Sequence, residues 1–229
     1  MQNCSLGRII VTCGPAFAAI DAVRCITNFS TGELGTLLCD FLARKGWEVF
    51  CLRGAGATYP YPLHARILPF STNTDLEQSL NQLATLSSIV AIFHAAALCD
   101  FRVARIENSH GIEMTSKKIG SHSGKLQLTL EPMPKIIRQL RSFFPHSYIV
   151  GWKYELGPPG EALSKGYQQI SESATDACIV NGTALGGCFA FLEREATLFI
   201  IPTKVQLCVY LNQWLSRSLF FHSQSRNTK

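Results

Sequence analysis

Apolar positions in this chain fall in short runs whose period switches between strand-like and helix-like. Arg8-Ile-Ile-Val-Thr-Cys13 is a β-branched run closed by Gly14-Pro15, the pattern of a buried parallel strand opening into a loop. After Val23 the period changes. Leu34, Leu37, Leu38, Phe41 and Leu42 fall at i, i+3, i+4, i+7 and i+8, a single apolar stripe on a helix. Ser30 with Glu33 three residues on is a capping-box pattern that predicts a helix from Thr31, and Lys45-Gly46 supplies the stop. Glu48-Val-Phe-Cys-Leu52 then completes a β–α–β unit, which implies a parallel sheet with right-handed crossovers.

The same alternation continues. Arg66–Phe70 predicts a short strand, Asp75–Leu86 a helix through Leu76, Leu80 and Leu83, and Ile89–Phe93 a buried strand ending at His94. Residues 102–125 are polar and aperiodic, so a flap is expected there. Leu126–Leu130, Tyr148–Trp152 and Asp176–Val180 read as strands, with helices over Pro134–Phe143 and Gly160–Ser173. Phe189–Leu192 and Thr197–Ile201 predict a terminal hairpin and Lys204–Leu215 a last helix. The expected architecture is one doubly wound α/β domain over residues 1–215, a mostly parallel Rossmann-like sheet with a flap and a C-terminal hairpin. Residues 216–229 read as a flexible basic tail.

In such a sheet ligands bind beyond the carboxyl ends of the strands, where the strand order reverses. That rule selects Gly14-Pro15, His94–Asp100, Trp152–Glu155 and Asn181-Gly182. It also selects Asn28–Gly32, because a helix start presents open N–H groups and partial positive charge, an anion cradle. Neither G-x-G-x-x-G nor G-x-x-x-x-G-K-[ST] is present, and no G-x-S-x-G elbow occurs. His110 and His122 lack metal-ligand spacing. Small residues at strand ends, a helix start, and Asp100 with Lys117 and Lys118 downstream suit a nucleotide held by ribose and phosphates.

Composition narrows the class. The chain has 229 residues, 47% of them hydrophobic, with a formal charge of +5 and no dense basic run, so it can bury a sizeable core and is a poor coat for nucleic acid. The nine cysteines lie mostly in apolar stretches without a C-x-x-C pair, which points to reduced thiols in a cytoplasmic protein. No signal-peptide core and no run of about 18 apolar residues suggests export or a membrane span.

Four segments together carry a family resemblance: GP at 14–15 with VRCITNFSTG at 23–32, AAALCDF at 95–101, KIGSHSGKLQLTLEPMPK at 118–135 and GWKYE at 151–155. In order and spacing they resemble phosphopantothenoylcysteine synthetase, in a stand-alone form without a preceding flavin decarboxylase half. The resemblance implies an enzyme of coenzyme A biosynthesis. In that family the carboxylate of 4′-phosphopantothenate attacks the α-phosphorus of a nucleoside triphosphate, CTP or ATP, and the amine of cysteine then attacks the acyl-nucleotide. Mg²⁺ is expected to offset the triphosphate charge, and a homodimer is implied.

By the same resemblance Asn28 holds the acyl-nucleotide carbonyl, Lys118 meets the α-phosphate from the flap, and Arg24, Ser30, Thr31 and Gly32 hold substrate. Gly14, Ala96, Ala97, Asp100 and Trp152 would form the nucleotide site, with Asp100 accepting from ribose hydroxyls and Trp152 stacking on the base. No protein-held metal is expected. The chain departs from the family in the first loop, GPAFAAIDAVR where many relatives read GPTREPIDPVR, and in Gln169 and Ser173, which stand near the places of two bacterial lysines. Lys153 and the ungapped KIG…MPK stretch resemble the eukaryotic branch, which prefers ATP. Two alternatives remain at this point: an FMN-dependent decarboxylase of the same pathway, and a non-catalytic nucleotide-binding protein.

Overall fold

A computed structural model of the chain describes residues 6–86, 89–194 and 197–227. In chain order its elements are β1 (Arg8–Cys13), a small hairpin of β2 (Phe17–Ala19) and β3 (Cys25–Thr27), α1 (Glu33–Arg44), β4 (Glu48–Gly54), β5 (Arg66–Phe70), α2 (Asn73–Ala84) and β6 (Ile89–His94). A second hairpin follows, β7 (Phe101–Asn108) with β8 (Leu126–Pro132), then α3 (Leu140–Phe143), β9 (Tyr148–Tyr154), α4 (Pro159–Ser173), β10 (Ala177–Asn181), β11 (Phe189–Glu193), β12 (Leu198–Ile201) and α5 (Lys204–Asn227). Eight strands form one sheet in the order β12-β11-β10-β9-β6-β1-β4-β5. Every neighbouring pair from β10 to β5 is parallel, and β11 and β12 continue the sheet antiparallel. The mostly parallel α/β sheet with a terminal hairpin is therefore the fold the chain adopts.

β1 shows why this sequence makes a central strand. Ile9 and Val11 pack with α1 and α5 on one face of the sheet, and Ile10 packs with α2 and α3 on the other. All three are fully buried. Burial contributes about 1.5–3 kcal/mol per aliphatic side chain of this size. On α1 the stripe behaves as its spacing predicts: Leu38 and Leu42 are buried, while Leu34, Leu37 and Phe41 pack at its edge. Gly35 brings α1 down onto β1, because a Cβ there would stand 2.3 Å from that of Cys13.

Several local expectations are corrected. The capping box at Ser30 does not form. α1 starts at Glu33 behind Gly32, whose φ of 76° suits a glycine, and the Glu33 carboxylate pairs with Lys204 instead of reaching back. A capping box is present at α2, where Thr72 Oγ1 accepts the Asp75 N–H at 3.2 Å and Asp75 accepts the Thr72 N–H at 2.9 Å. The long first loop contains the β2–β3 hairpin, and the polar excursion expected over 102–125 begins with β7, a strand with one buried residue in eight that leaves little hydrophobic signature. The helix expected over Pro134–Phe143 is a 3₁₀ turn at Ile136–Arg138 followed by the four-residue α3.

The last helix does not stop at Leu215. It continues through the first part of the expected tail to Asn227, helped by Leu219 packing on the core and by Tyr148 Oη donating to the Ser218 carbonyl at 3.0 Å. The first five residues of the expected domain and the last two of the tail lie outside the described residues. No helix of the described residues is long and apolar enough to cross a membrane.

Candidate active site

β1, β4 and β5 step outward in one direction, and β6 returns to the other side of β1, so the strand order reverses between β1 and β6. The chains leaving these two strands must separate, and a crevice is the geometric consequence. A cleft of about 930 Å³ opens there. Its walls come from the end of β1, the turn leading into α1, the segment His94–Asp100 after β6, the turn at Pro134–Arg138, the end of β9 and one face of α4.

Nine of the residues expected at the site line this cleft: Gly14, Asn28, Ser30, Thr31, Gly32, Ala96, Ala97, Asp100 and Trp152. Asn28 Nδ2 donates to the Leu98 carbonyl at 2.7 Å, which ties the turn before α1 to the segment after β6 across the crevice. Asp100 is paired with Lys135 rather than standing free for a ribose. Trp152 packs partly against the core, and its indole N–H is buried with no hydrogen-bond partner among the described residues.

Two expected residues are not brought to the cleft. Arg24 is committed elsewhere: it pairs with Asp21 and donates to the Ile119 carbonyl at 2.6 Å. Lys118 is exposed on the flap, and its backbone neighbours are docked on the β2–β3 turn, where the Lys117 carbonyl accepts the Ala22 N–H at 2.9 Å.

The cleft is electropositive for a different reason. Gly32 offers no capping side chain; Thr31 Oγ1 accepts the Glu33 N–H at 3.3 Å, and Leu34 and Gly35, the next residues of the first turn, line the cavity at the positive end of the helix dipole. Beneath Gly32 lies Arg53, only 3% exposed, donating to Thr36 Oγ1 at 2.8 Å and to backbone carbonyls, with no carboxylate partner among the described residues. Of the lining cations, Lys135, Arg138, Lys165 and Lys204 pair with Asp100, Glu172, Glu155 and Glu33 respectively. Lys153 lines the cleft without an ion pair or side-chain hydrogen bond among the described residues. Cys13 reaches the floor, but its hydrogen bond with Cys51 and its burial push the thiol up, which removes it as a nucleophile near neutral pH. Among the described residues no cluster of His, Cys, Asp or Glu could hold a metal ion.

Residues 5–208 match the family described as DNA/pantothenate metabolism flavoprotein C-terminal domain. The chain belongs to this family. It is 31% identical over 175 residues to the coenzyme A biosynthesis bifunctional protein CoaBC of Thermococcus kodakarensis, a match that takes in 76% of this chain and 41% of that protein. The chain thus spans about two fifths of that relative's length. A crystal structure of the DNA/pantothenate metabolism flavoprotein from Streptococcus pneumoniae superposes with a TM-score of 0.82 at 22% identity, over 93% of this chain and 99% of that one. A Cab2 variant in complex with phosphopantothenate-cysteine superposes with a TM-score of 0.74 at 20% identity, over 96% of this chain and 89% of that one.

Within the flavoprotein C-terminal domain fold, the strand-end rule located the cleft but under-counted its polar residues. His94 and Lys153 fall in segments that the rule selected but were given no role, and Lys135, Arg138, Lys165 and Lys204 were not selected; all six line the cleft. Lys204 starts the last helix and meets Glu33 across 171 residues of chain, a pairing that no local pattern encodes. Gln169 and Ser173 do line the cleft, as does Lys165 one and two turns before them. Gln169 Nε2 donates to the Trp152 carbonyl at 3.2 Å, so it anchors the base of the β9 wall.

Proposed function

We propose that this chain is a phosphopantothenate–cysteine ligase of coenzyme A biosynthesis. In this reading the carboxylate of 4′-phosphopantothenate attacks the α-phosphorus of CTP or ATP, releasing pyrophosphate. The amine of cysteine then displaces the nucleoside monophosphate from the acyl-nucleotide, giving 4′-phosphopantothenoylcysteine. Membership of the family and the likeness to CoaBC proteins support it. The observation that carries it is one cavity holding the Asn28 amide, the N-terminal turn of α1 and Lys153, which has no ion pair among the described residues.

Each feature has a task in that chemistry. Two anionic reactants repel, so the α1 N–H groups, the buried Arg53 charge and Lys153 lower the cost of bringing them together. The second N–H of Asn28 donates to the acyl carbonyl as charge develops on its oxygen. Lys153 takes the phosphate role that the family resemblance implied for Lys118. Lys118 and Arg24 enter only through movement of the flap or a second chain, and a homodimer is part of the proposal. Mg²⁺ arrives as counter-ion of the triphosphate, since the cleft carboxylates Glu33, Asp100 and Glu172 are each held by a cation. The proposed compartment is the cytoplasm.

The test is pyrophosphate release from CTP or ATP with 4′-phosphopantothenate and Mg²⁺, followed by amide formation on adding cysteine. Release without either nucleotide being preferred still supports the ligase. No release with either one removes it and leaves a nucleotide-binding protein.

A further inference from the structure

One lining residue has a hydrogen-bond arrangement that the ligase reading does not use. His94 ends β6, is 7% exposed and lines the cleft. Its Nδ1 lies 3.0 Å from Thr12 Oγ1. The same oxygen accepts the Ala96 N–H at 3.1 Å, so the hydroxyl keeps a proton that needs an acceptor. Among the described residues the only acceptor in reach is His94 Nδ1. Thr12 therefore donates to Nδ1, and the ring proton sits on Nε2. Nε2 has no hydrogen-bond partner among the described residues and is not one of their buried unsatisfied atoms, so it stays accessible from the cleft that His94 lines, where a bound group can accept from it.

The surroundings say what kind of acceptor would fit. Thr12 and Gly151 are the register neighbours of His94 on β1 and β9. The space beside Gly151 is closed by Ile137 and Gln169, which an added Cβ would approach to 2.7 and 2.3 Å. Lys135 and Arg138, the cations of the adjacent turn, are neutralised by Asp100 and Glu172. Burial keeps the imidazole itself neutral, with its pKa down at about 4. A neutral donor beside a wall of one aliphatic and one uncharged amide side chain suits an uncharged heterocycle rather than a phosphate.

We infer that His94 is a nucleobase-recognising residue, its Nε2–H donating to a ring nitrogen or carbonyl oxygen on the edge of the bound base. The inference deepens the nucleotide reading of the cleft and rests on it. Thr12 is the positioning residue that fixes the tautomer.

The test uses the whole chain and equilibrium binding of CTP, ATP and inorganic tripolyphosphate, the last having no base. His94→Phe should weaken the better-bound nucleotide by about tenfold, the scale of one buried hydrogen bond, and leave tripolyphosphate unchanged. His94→Gln, which keeps a neutral N–H near the same place, should recover most of that loss. Equal nucleotide affinity in wild type and His94→Phe overturns the assignment while the ligase reading stands. Equal weakening of tripolyphosphate overturns the base as the partner. If wild type binds neither nucleotide, both readings fall together. Imidazole ¹⁵N spectra of the wild-type chain provide a readout free of folding effects. Nδ1 should appear as acceptor and Nε2 as protonated at pH 7, with the Nε2–H signal moving on nucleotide addition, and the opposite tautomer overturns the proposal.

Discussion

The carboxylate of Asp21 accepts the N–H of Ile119 at 3.1 Å across 98 residues of chain. Arg24, paired with that carboxylate, takes the carbonyl of the same residue, and the Ile119 side chain is buried. The turn of the small hairpin thus grips the flap on both sides of Lys118, at Lys117 through the Ala22 N–H and at Ile119 through Asp21 and Arg24.

Removing that grip should loosen the flap without unfolding the sheet. Asp21→Asn keeps the size of the side chain but loses the charge on which three backbone N–H groups and Arg24 converge. Hydrogen exchange at residues 117–119 should then accelerate by about an order of magnitude, with exchange in β1 and β6 unmoved. Unchanged exchange at Ile119 would show that the flap is held by something else.

Acid should destabilise this fold, and His94 sets much of the window. Its pKa is lowered from 6.5 to about 4 by burial. The unfolded chain therefore binds this proton first, and the contribution is complete above pH 6.5 and lost as pH falls from there towards 4. The loss amounts to roughly 3 kcal/mol at most. Asp75, held low mainly by the backbone N–H of Thr72, adds to the loss below its ordinary value of 3.8. Melting temperature between pH 7 and 4 should fall more steeply for wild type than for His94→Phe. Parallel curves would remove His94 from the account.

Lys153 and Lys118 compete for one role, and a pair of substitutions separates them. Lys153→Met should weaken triphosphate binding about tenfold with little change in melting temperature, because no ion pair is broken. Lys118→Gln should cost less. The reverse order would mean that the flap closes over the cleft during turnover.

Asn28→Asp should lower turnover by about 10²–10³-fold, the scale of losing one oxyanion donor. It also sets a carboxylate against the Leu98 carbonyl that Asn28 now holds. Single-turnover formation of the acyl-nucleotide is the measurement, and wild-type rates would take Asn28 out of the chemistry.

Gly35→Ala probes the contact that seats α1. The new Cβ would meet Cys13 Cβ at 2.3 Å, so the helix must shift, at a cost of about 1–3 kcal/mol and several degrees in melting temperature. A variant as stable as wild type would show that α1 slides freely on β1.

Periodicity determined the main strands and the helix faces, because those depend on which residues are apolar and how they repeat, and the strand-end rule then gave the segments that line the cleft. β1, β4 and β6 read correctly from short apolar runs, and α1 from its stripe, although its first turn did not follow the capping pattern. Only the tertiary structure decided how the charges are used. Asp21 and Arg24 are claimed by Ile119, Glu33 by Lys204 and Asp100 by Lys135, leaving Lys153 open and His94 with a free N–H. Ion pairs and hydrogen bonds act over about 3 Å between residues brought together by the fold, so their partners leave no period in the sequence.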